Sequence, residues 1–263
     1  VVFCTDAAVA GVHCDLDLVG PADLGWRASV ATISDLAAMG ADPWCLVVSV
    51  ATPPDIATSE VMVGAIEAAR LHGCPVVGGD LTSSPTAMVS VAALGTVPMG
   101  QAVTRSGARP GDAIVLTGPV GGSAAGLEAL RRQLVDDENV ARHRRPVARL
   151  AMGQVARRFA ASAMIDVSDG LSLDLHRLAD ASGVGFVIEG FPVAAGATRA
   201  QALGGGEDYE LVITVADAEA LAMAFVDEGL SAPSVIGTIV ADPAVRMVDG
   251  VEDQPIGWSH DVS

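Results

Sequence analysis

Apolar and polar positions along the chain alternate in short, distinct stretches. VVFCTD (1–6) has the character of a strand, and apolar residues then recur at helical spacing from Asp23 to Met39. That pattern stops at Gly40, a residue suited to the position after a helix. CLVVSVAT (45–52) predicts a strand closed by Pro53 and Pro54, and 58–72 predicts a helix ended by Gly73. PVVGGD (75–80) and MVSVAALGTV (88–97) are strand-like. A second series holds AIVLTG (113–118), a helix after the glycines at 121–126, and a helix over 148–161. AMIDV (163–167), a helix over 171–181, VGFVIEG (184–190) and ELVITV (210–215) follow, then a helix over 217–228 and PSVIGTIV (233–240). Several strands adjoin without a helix between them. The pattern therefore predicts an α/β (α+β) fold of mixed sheets flanked by helices. PMGQAVTRSGARPGD (98–112), rich in Pro and Gly, separates the two series and suggests domains of 1–103 and 104–263. PVAAGATRAQALGGG (192–206) carries little periodicity and is expected to be a mobile loop.

Composition narrows the function classes. With 263 residues, 51% hydrophobic and only 3% aromatic, the core must be built from Ala, Val, Leu and Ile. A net charge of −17 argues against nucleic acid and anionic membrane as partners. No apolar run reaches the length of a membrane span. All 15 basic residues are Arg, so a Walker A loop, a protein-kinase strand Lys and a Lys Schiff base are excluded. Cys4, Cys14, Cys45 and Cys74 form no C-x-x-C pair, which fits a reducing cytoplasm. The chain opens on VVF without Met, and a preceding segment is expected to lie outside it.

Candidate chemistry is acidic. Strand-like runs end at Thr5-Asp6, Gly78-Gly79-Asp80 and Asp166-Val167-Ser168-Asp169-Gly170. SDLAAMG brings Asp35, and GGGEDYE brings Glu207, Asp208 and Glu210. Any one of these serves as a helix cap or turn. Together, at strand ends, they occupy the place where α/β proteins bind ligands. Carboxylates converging with few cations repel one another, and a divalent cation resolves the conflict. Mg²⁺ takes a few carboxylates plus phosphate oxygens, which makes a polyphosphate the natural third party. Gly78-Gly79 and GPVGGSAAG (118–126) are candidate phosphate loops, and Arg105 and Arg109 candidate clamps. His13 is a candidate ligand or substrate contact, and Trp258 a flat surface for an aromatic group.

TDAAVAGVH, SDLAAMGADP, GGDLTSSP, LTGPVGGSAAGL, AMIDVSDGLSLDL and GGGEDYEL, with TRSGARPGD, occur across the whole chain. In that combination the sequence resembles the thiamine-monophosphate kinase family. The resemblance implies the two-domain fold shared with aminoimidazole ribonucleotide synthetase, a homodimer formed through the N-terminal domains, and several Mg²⁺ ions. It implies ATP-dependent phosphorylation of thiamine monophosphate by direct in-line transfer, with no residue acting as general base. By the same resemblance Thr5, Asp6, Asp35, Asp80, Asp166 and Asp169 are metal ligands. Gly79, Asp80, Arg105 and Ser168 contact ATP, and His13, Glu207 and Trp258 contact the thiamine phosphate. The family's Gly-Asp-Asp-Ala-type motif, with a further metal ligand, precedes the start of this sequence. Cys4 stands where a Ser commonly contributes to a metal site. The stretch from Pro192 to Glu207 is short for the family. The alternative reading is a non-catalytic nucleotide-binding regulator, or a related ATP-dependent enzyme with another substrate.

Overall fold

The structure, a computed structural model, describes residues 1–134 and 137–259. Its first half comprises β1 (Val2–Val9), α1 (Pro21–Ala38), β2 (Asp42–Thr52), α2 (Thr58–Leu71), β3 (Val76–Ser83) and β4 (Met88–Thr96). These strands form one sheet in the order β1-β4-β2-β3, with β3 parallel to β2 and the other pairs antiparallel. Pro21 fits the first turn of α1, where its missing N–H costs nothing, and Gly40 (φ 64°) closes the helix end. α1 lies against α2 with backbones touching: a Cβ on Gly25 would come within 1.9 Å of the Val61 carbonyl oxygen. Leu24, Val30, Ile33 and Leu36 are buried, and the buried hydroxyls of Ser29 and Thr32 donate to Gly25 O and Ala28 O one turn back.

The other face of this sheet is open. Phe3 (62% exposed), Met88 and Val47 lie there, while Val77 and Leu81 on the edge strand β3 are exposed as well.

The second half holds β5 (Ala113–Leu116), α3 (Gly122–Arg131), α4 (Glu138–Arg144), α5 (Leu150–Arg158), β6 (Ala163–Asp166) and α6 (Leu171–Ser182). It continues with β7 (Gly185–Ile188), α7 (Arg199–Gly204), β8 (Leu211–Val215), α8 (Ala218–Asp227), β9 (Ser234–Val240), β10 (Arg246–Val248) and β11 (Val251–Glu252). The sheet order is β11-β10-β7-β9-β5-β8-β6, with β10 parallel to β7 and the remaining pairs antiparallel. Both sheets are mixed, as the adjoining strands predict. One core joins α1 to the near side of this sheet through Met164, Leu211 and Ile213, and a second packs α6 on the far side.

Part of the expected mobile loop is ordered. Residues 199–204 form α7, opened by a capping box in which Thr198 accepts from Gln201 N and the Gln201 side chain accepts from Thr198 N. α4, the charged ENVARHR segment, has no apolar period and is invisible to a search for one.

Candidate active site

β6 delivers Asp166 to its C-terminal end, 3% exposed, and α1 meets it there. The Ser34 hydroxyl donates to Asp166 Oδ2 at 2.6 Å. Burial, the Asp166 carboxylate and then Asp6 push Asp35 up to about 7, with Arg105 opposing. Burial raises Asp166 too, against the Ser34 hydrogen bond and Arg105. Asp6, Asp35, Asp166 and Arg105 therefore share one electrostatic neighbourhood at the junction of the two sheets. Cys4 lies beside them, but burial pushes its thiol up to about 12 and it donates to Thr32 O at 3.2 Å. It is a neutral packing group.

The DVSDG turn is organised by a residue absent from the sequence-based set. Asp174, fully buried, accepts with Oδ2 from the backbone N–H groups of Ser168 (3.1 Å), Asp169 (3.0 Å) and Gly170 (3.2 Å). Its other oxygen accepts from Arg177 at 2.8 Å, and the same Arg177 nitrogen pairs with Asp169. The turn's N–H groups are thus filled by the chain's own carboxylate, while the side chains of Ser168 and Asp169 remain half-buried. Gly170 (φ 129°) permits the approach of Leu203 O, 2.8 Å from where a Cβ would stand.

The GPVGGSAAG stretch is not a phosphate loop. Asp208 occupies the N-terminus of α3, accepting from Gly121 N at 2.6 Å and Ser123 N at 3.0 Å. Its glycines serve packing: a Cβ on Gly126 would meet Asn139 O at 2.0 Å, and one on Gly118 the Glu210 carboxylate at 2.6 Å. Glu210 itself is buried and held by Thr117 (2.7 Å) and Arg149 (2.9 and 2.5 Å). Cations pair with the surrounding carboxylates, Arg27 with Glu207, Arg149 with Glu210 and Arg177 with Asp169, while Arg105 opposes the raised Asp35 and Asp166.

The three residues expected at the substrate end are brought together. The rings of His13 and Trp258 are 5.3 Å apart, and Trp258 N donates to Asp169 O at 2.9 Å. Glu207 N donates to Ser168 O at 2.7 Å, and its carboxylate pairs with buried Arg27. Val9 N donates to His13 Nδ1 at 3.1 Å, leaving Nε2 to carry the proton of the neutral ring. Glu207 (φ 57°) and Tyr209 (φ 51°) both lie in the left-handed region without being Gly, strain that clusters at functional sites.

Asp80 and Thr5 lie elsewhere. Register runs Asp6–Val91–Val48–Gly79 across the sheet, so Asp80 sits at the far edge, about 14 Å from β1 at normal strand spacing. Asp80 aligns with Ser49, Ser90 and Ala7, so strand alternation puts it on the face opposite Asp6. Thr5, adjacent to Asp6, also has its side chain on that open face, where its hydroxyl donates to Val91 O at 3.1 Å. Arg109 is exposed at a turn closed by Asp112 Oδ2 accepting from its backbone N–H.

The donor set at the junction consists of carboxylate and hydroxyl oxygens, which fits a hard divalent cation. Among the described residues no three His, Cys, Asp or Glu side chains form a ready-made metal group. Phosphate and water oxygens would have to complete the sphere.

Two family descriptions match the chain: AIR synthase related protein, N-terminal domain, over residues 1–97, and the corresponding C-terminal domain over residues 109–250. Fold and site thus define a protein of the AIR-synthase-related class. Thiamine-monophosphate kinase of Escherichia coli (strain K12) is 40% identical over 257 residues, covering 90% of this chain and 78% of that protein. The crystal structure of thiamine-monophosphate kinase from Stenotrophomonas maltophilia K279a superposes with a TM-score of 0.86 at 31% identity, covering 96% of this chain and 86% of that one. A solved structure of AaThiL complexed with AMPPCP and TMP gives 0.85 at 31% identity, covering 98% and 86%. The chain belongs to the thiamine-monophosphate kinase family.

Proposed function

We infer that this chain transfers the γ-phosphoryl group of ATP to thiamine monophosphate, giving thiamine diphosphate and ADP. The observation that carries the reading is the meeting of Asp6, Asp35 and Asp166 with the turn that touches Glu207 and Trp258, one end suited to cations and phosphates and the other to a heterocycle. A relative at 40% identity carries the name thiamine-monophosphate kinase, and one solved neighbour is a complex with AMPPCP and TMP.

An oxygen of the substrate's terminal phosphate would attack the γ-phosphorus, and the bond to the β–γ bridging oxygen would break as ADP leaves. The attacking oxygen is already anionic, so no side chain is assigned as general base. Asp6, Asp35, Asp166 and Asp169 would hold Mg²⁺, with Arg105 and Ser168 on the nucleotide. Bound Mg²⁺ supplies charge neutralisation between two polyanions and orients their oxygens. His13, Glu207 and Trp258 would receive the thiamine moiety, Trp258 by stacking. Thr5, Gly79 and Asp80 lie on the open face or its edge, so their expected roles are best met in a homodimer that pairs these faces and completes the site across the interface. We take 1–103 as the ATP- and metal-binding and dimerisation domain and 104–263 as its α/β companion. Among the described residues no helix is long and apolar enough to cross a membrane. Free Cys4, Cys14, Cys45 and Cys74, with a net charge of −17, agree with a cytoplasmic enzyme that avoids nucleic acid and membranes.

With ATP made chiral at the γ-phosphorus, the thiamine diphosphate formed is expected to show inversion. Retention would indicate a phosphoenzyme and contradict direct transfer.

Metal binding should also report on the carboxylates. The folded Asp35 group titrates at about 7 against an unfolded value of 3.8. Its contribution to stability is complete below the unfolded value and is lost as pH rises through about 7. Mg²⁺ relieves that loss only where the carboxylates are ionised, and at lower pH it must displace protons. The rise in melting temperature on adding Mg²⁺ is therefore expected to be larger at pH 8 than at pH 5.5. Equal shifts at both would disconnect the metal from these groups.

A further inference from the structure

Arg27 belongs to no motif singled out in the sequence, yet it bonds to several segments at the substrate end. It lies on α1 with its side chain 4% exposed, while the carboxylate it faces, Glu207, is 32% exposed. One guanidinium nitrogen pairs with Glu207 Oε1 and also donates to His13 O at 3.3 Å. The other donates to His143 O on α4. A single planar cation thus ties α1, the 9–14 loop, α4 and the 205–210 segment together. Burial opposes its charge, but Glu207 and Tyr209 push its pKa up, so it stays a cation.

The arrangement has a direction. The cation is buried at the back, and the carboxylate is the more exposed partner of the pair. Glu207 has a left-handed backbone (φ 57°), a conformation that persists only where its surroundings over-determine it. Two constraints do so: its N–H bond to Ser168 O at 2.7 Å and its ion pair with Arg27. The fixed fork of an Arg can satisfy a carboxylate and a carbonyl at once, which the point charge of a Lys cannot do equally well.

We propose that Arg27 is the positioning residue of the acceptor end, holding the Glu207 carboxylate and the His13 loop in the geometry that selects the heterocyclic half of the acceptor. The proposal rests on the kinase reading for the identity of that acceptor. It assigns Arg27 no contact with the reacting phosphates. None of its hydrogen-bond partners is Asp35, Asp166 or Arg105, so its effect falls on acceptor binding and spares the nucleotide.

The test is calorimetric binding of thiamine monophosphate, run beside steady-state kinetics on the full chain. Arg27→Met is expected to weaken acceptor binding and raise its KM at least ~10-fold, as loss of a charged hydrogen bond does, with KM for ATP and kcat nearly unchanged. Arg27→Lys should recover part of the loss. In a double-mutant cycle, Arg27→Met with Glu207→Gln should lose less than the sum of the two single losses, because the first acts in part through the second. Wild-type acceptor affinity in Arg27→Met, or in Arg27→Lys should the Met variant not fold, would overturn the positioning role. So would fully additive losses in the cycle. Wild-type binding without turnover would instead overturn the kinase reading and leave the positioning result standing on the binding data.

Discussion

Asp166→Asn is expected to lower kcat on the order of 10³-fold, as removal of a transition-state electrostatic group does, while making the metal-free protein more stable at pH 8. Asp166 is 3% exposed and shares its pocket with Asp35, which titrates at about 7 because of burial and this neighbour. The metal-free fold must therefore hold two close, buried carboxylates, and burial raises both. Asn preserves the volume and leaves an oxygen to accept from Ser34, now at 2.6 Å. It removes the Asp166 contribution, so Asp35 ionises nearer its ordinary value and folding opposes it less, burial and Asp6 still acting. The gain should fade towards pH 5.5, where the wild-type pair retains a proton. Melting curves without metal at both pH values, set beside kcat, decide the matter. A variant that melts lower at pH 8, or that keeps its kcat within tenfold, would mean these carboxylates are structural.

Gly79→Ala is expected to destabilise the protein by about 3 kcal/mol or more, the range of severe backbone clashes. A Cβ there would stand 1.7 Å from the Val48 carbonyl oxygen, in the middle of the β2–β3 ladder. The edge strand must shift or detach, and with it go Asp80 and the exposed Val77 and Leu81. Gly78→Ala is the control. Nothing lies within 4 Å of a Cβ at that position, and the cost should stay within about 0.5 kcal/mol. Denaturant titration of both variants measures the difference. Light scattering shows whether the oligomeric state changes with β3. Equal stability of the two would mean that the strand is not held in this register.

The same glycine pair illustrates what was legible in the sequence. GGD reads equally as a turn, a phosphate loop or a tight strand contact, and only the clash with Val48 separates Gly79 from Gly78. Strand and helix positions with clear period were readable, as α1 and α6 are, because their buried faces impose the pattern. α4 and α7 were not, since one is short and mostly polar and the other is fixed by Thr198 and Gln201 rather than by an apolar stripe. The family motifs placed His13, Glu207 and Trp258 on one site, and the fold does gather them. They could not show that Asp80 stands on the opposite face of the sheet from Asp6, because register across four strands is not written in any one of them. Asp174 and Arg27 were missed for a simpler reason. Each lies inside a helix with nothing local to distinguish it from a solvated charge, and each acquires its role only from partners far away in sequence or from a turn that the helix itself closes. The spacing of Asp174, five residues after Asp169 and eight after Asp166, was the available signal.

The most direct measurement is the mass-spectrometric yield of thiamine diphosphate from the protein incubated with ATP and thiamine monophosphate, with Mg²⁺ or with a chelator. Product with Mg²⁺ and none with the chelator is the expected result. No product with Mg²⁺ present, while ATP still binds, would contradict it.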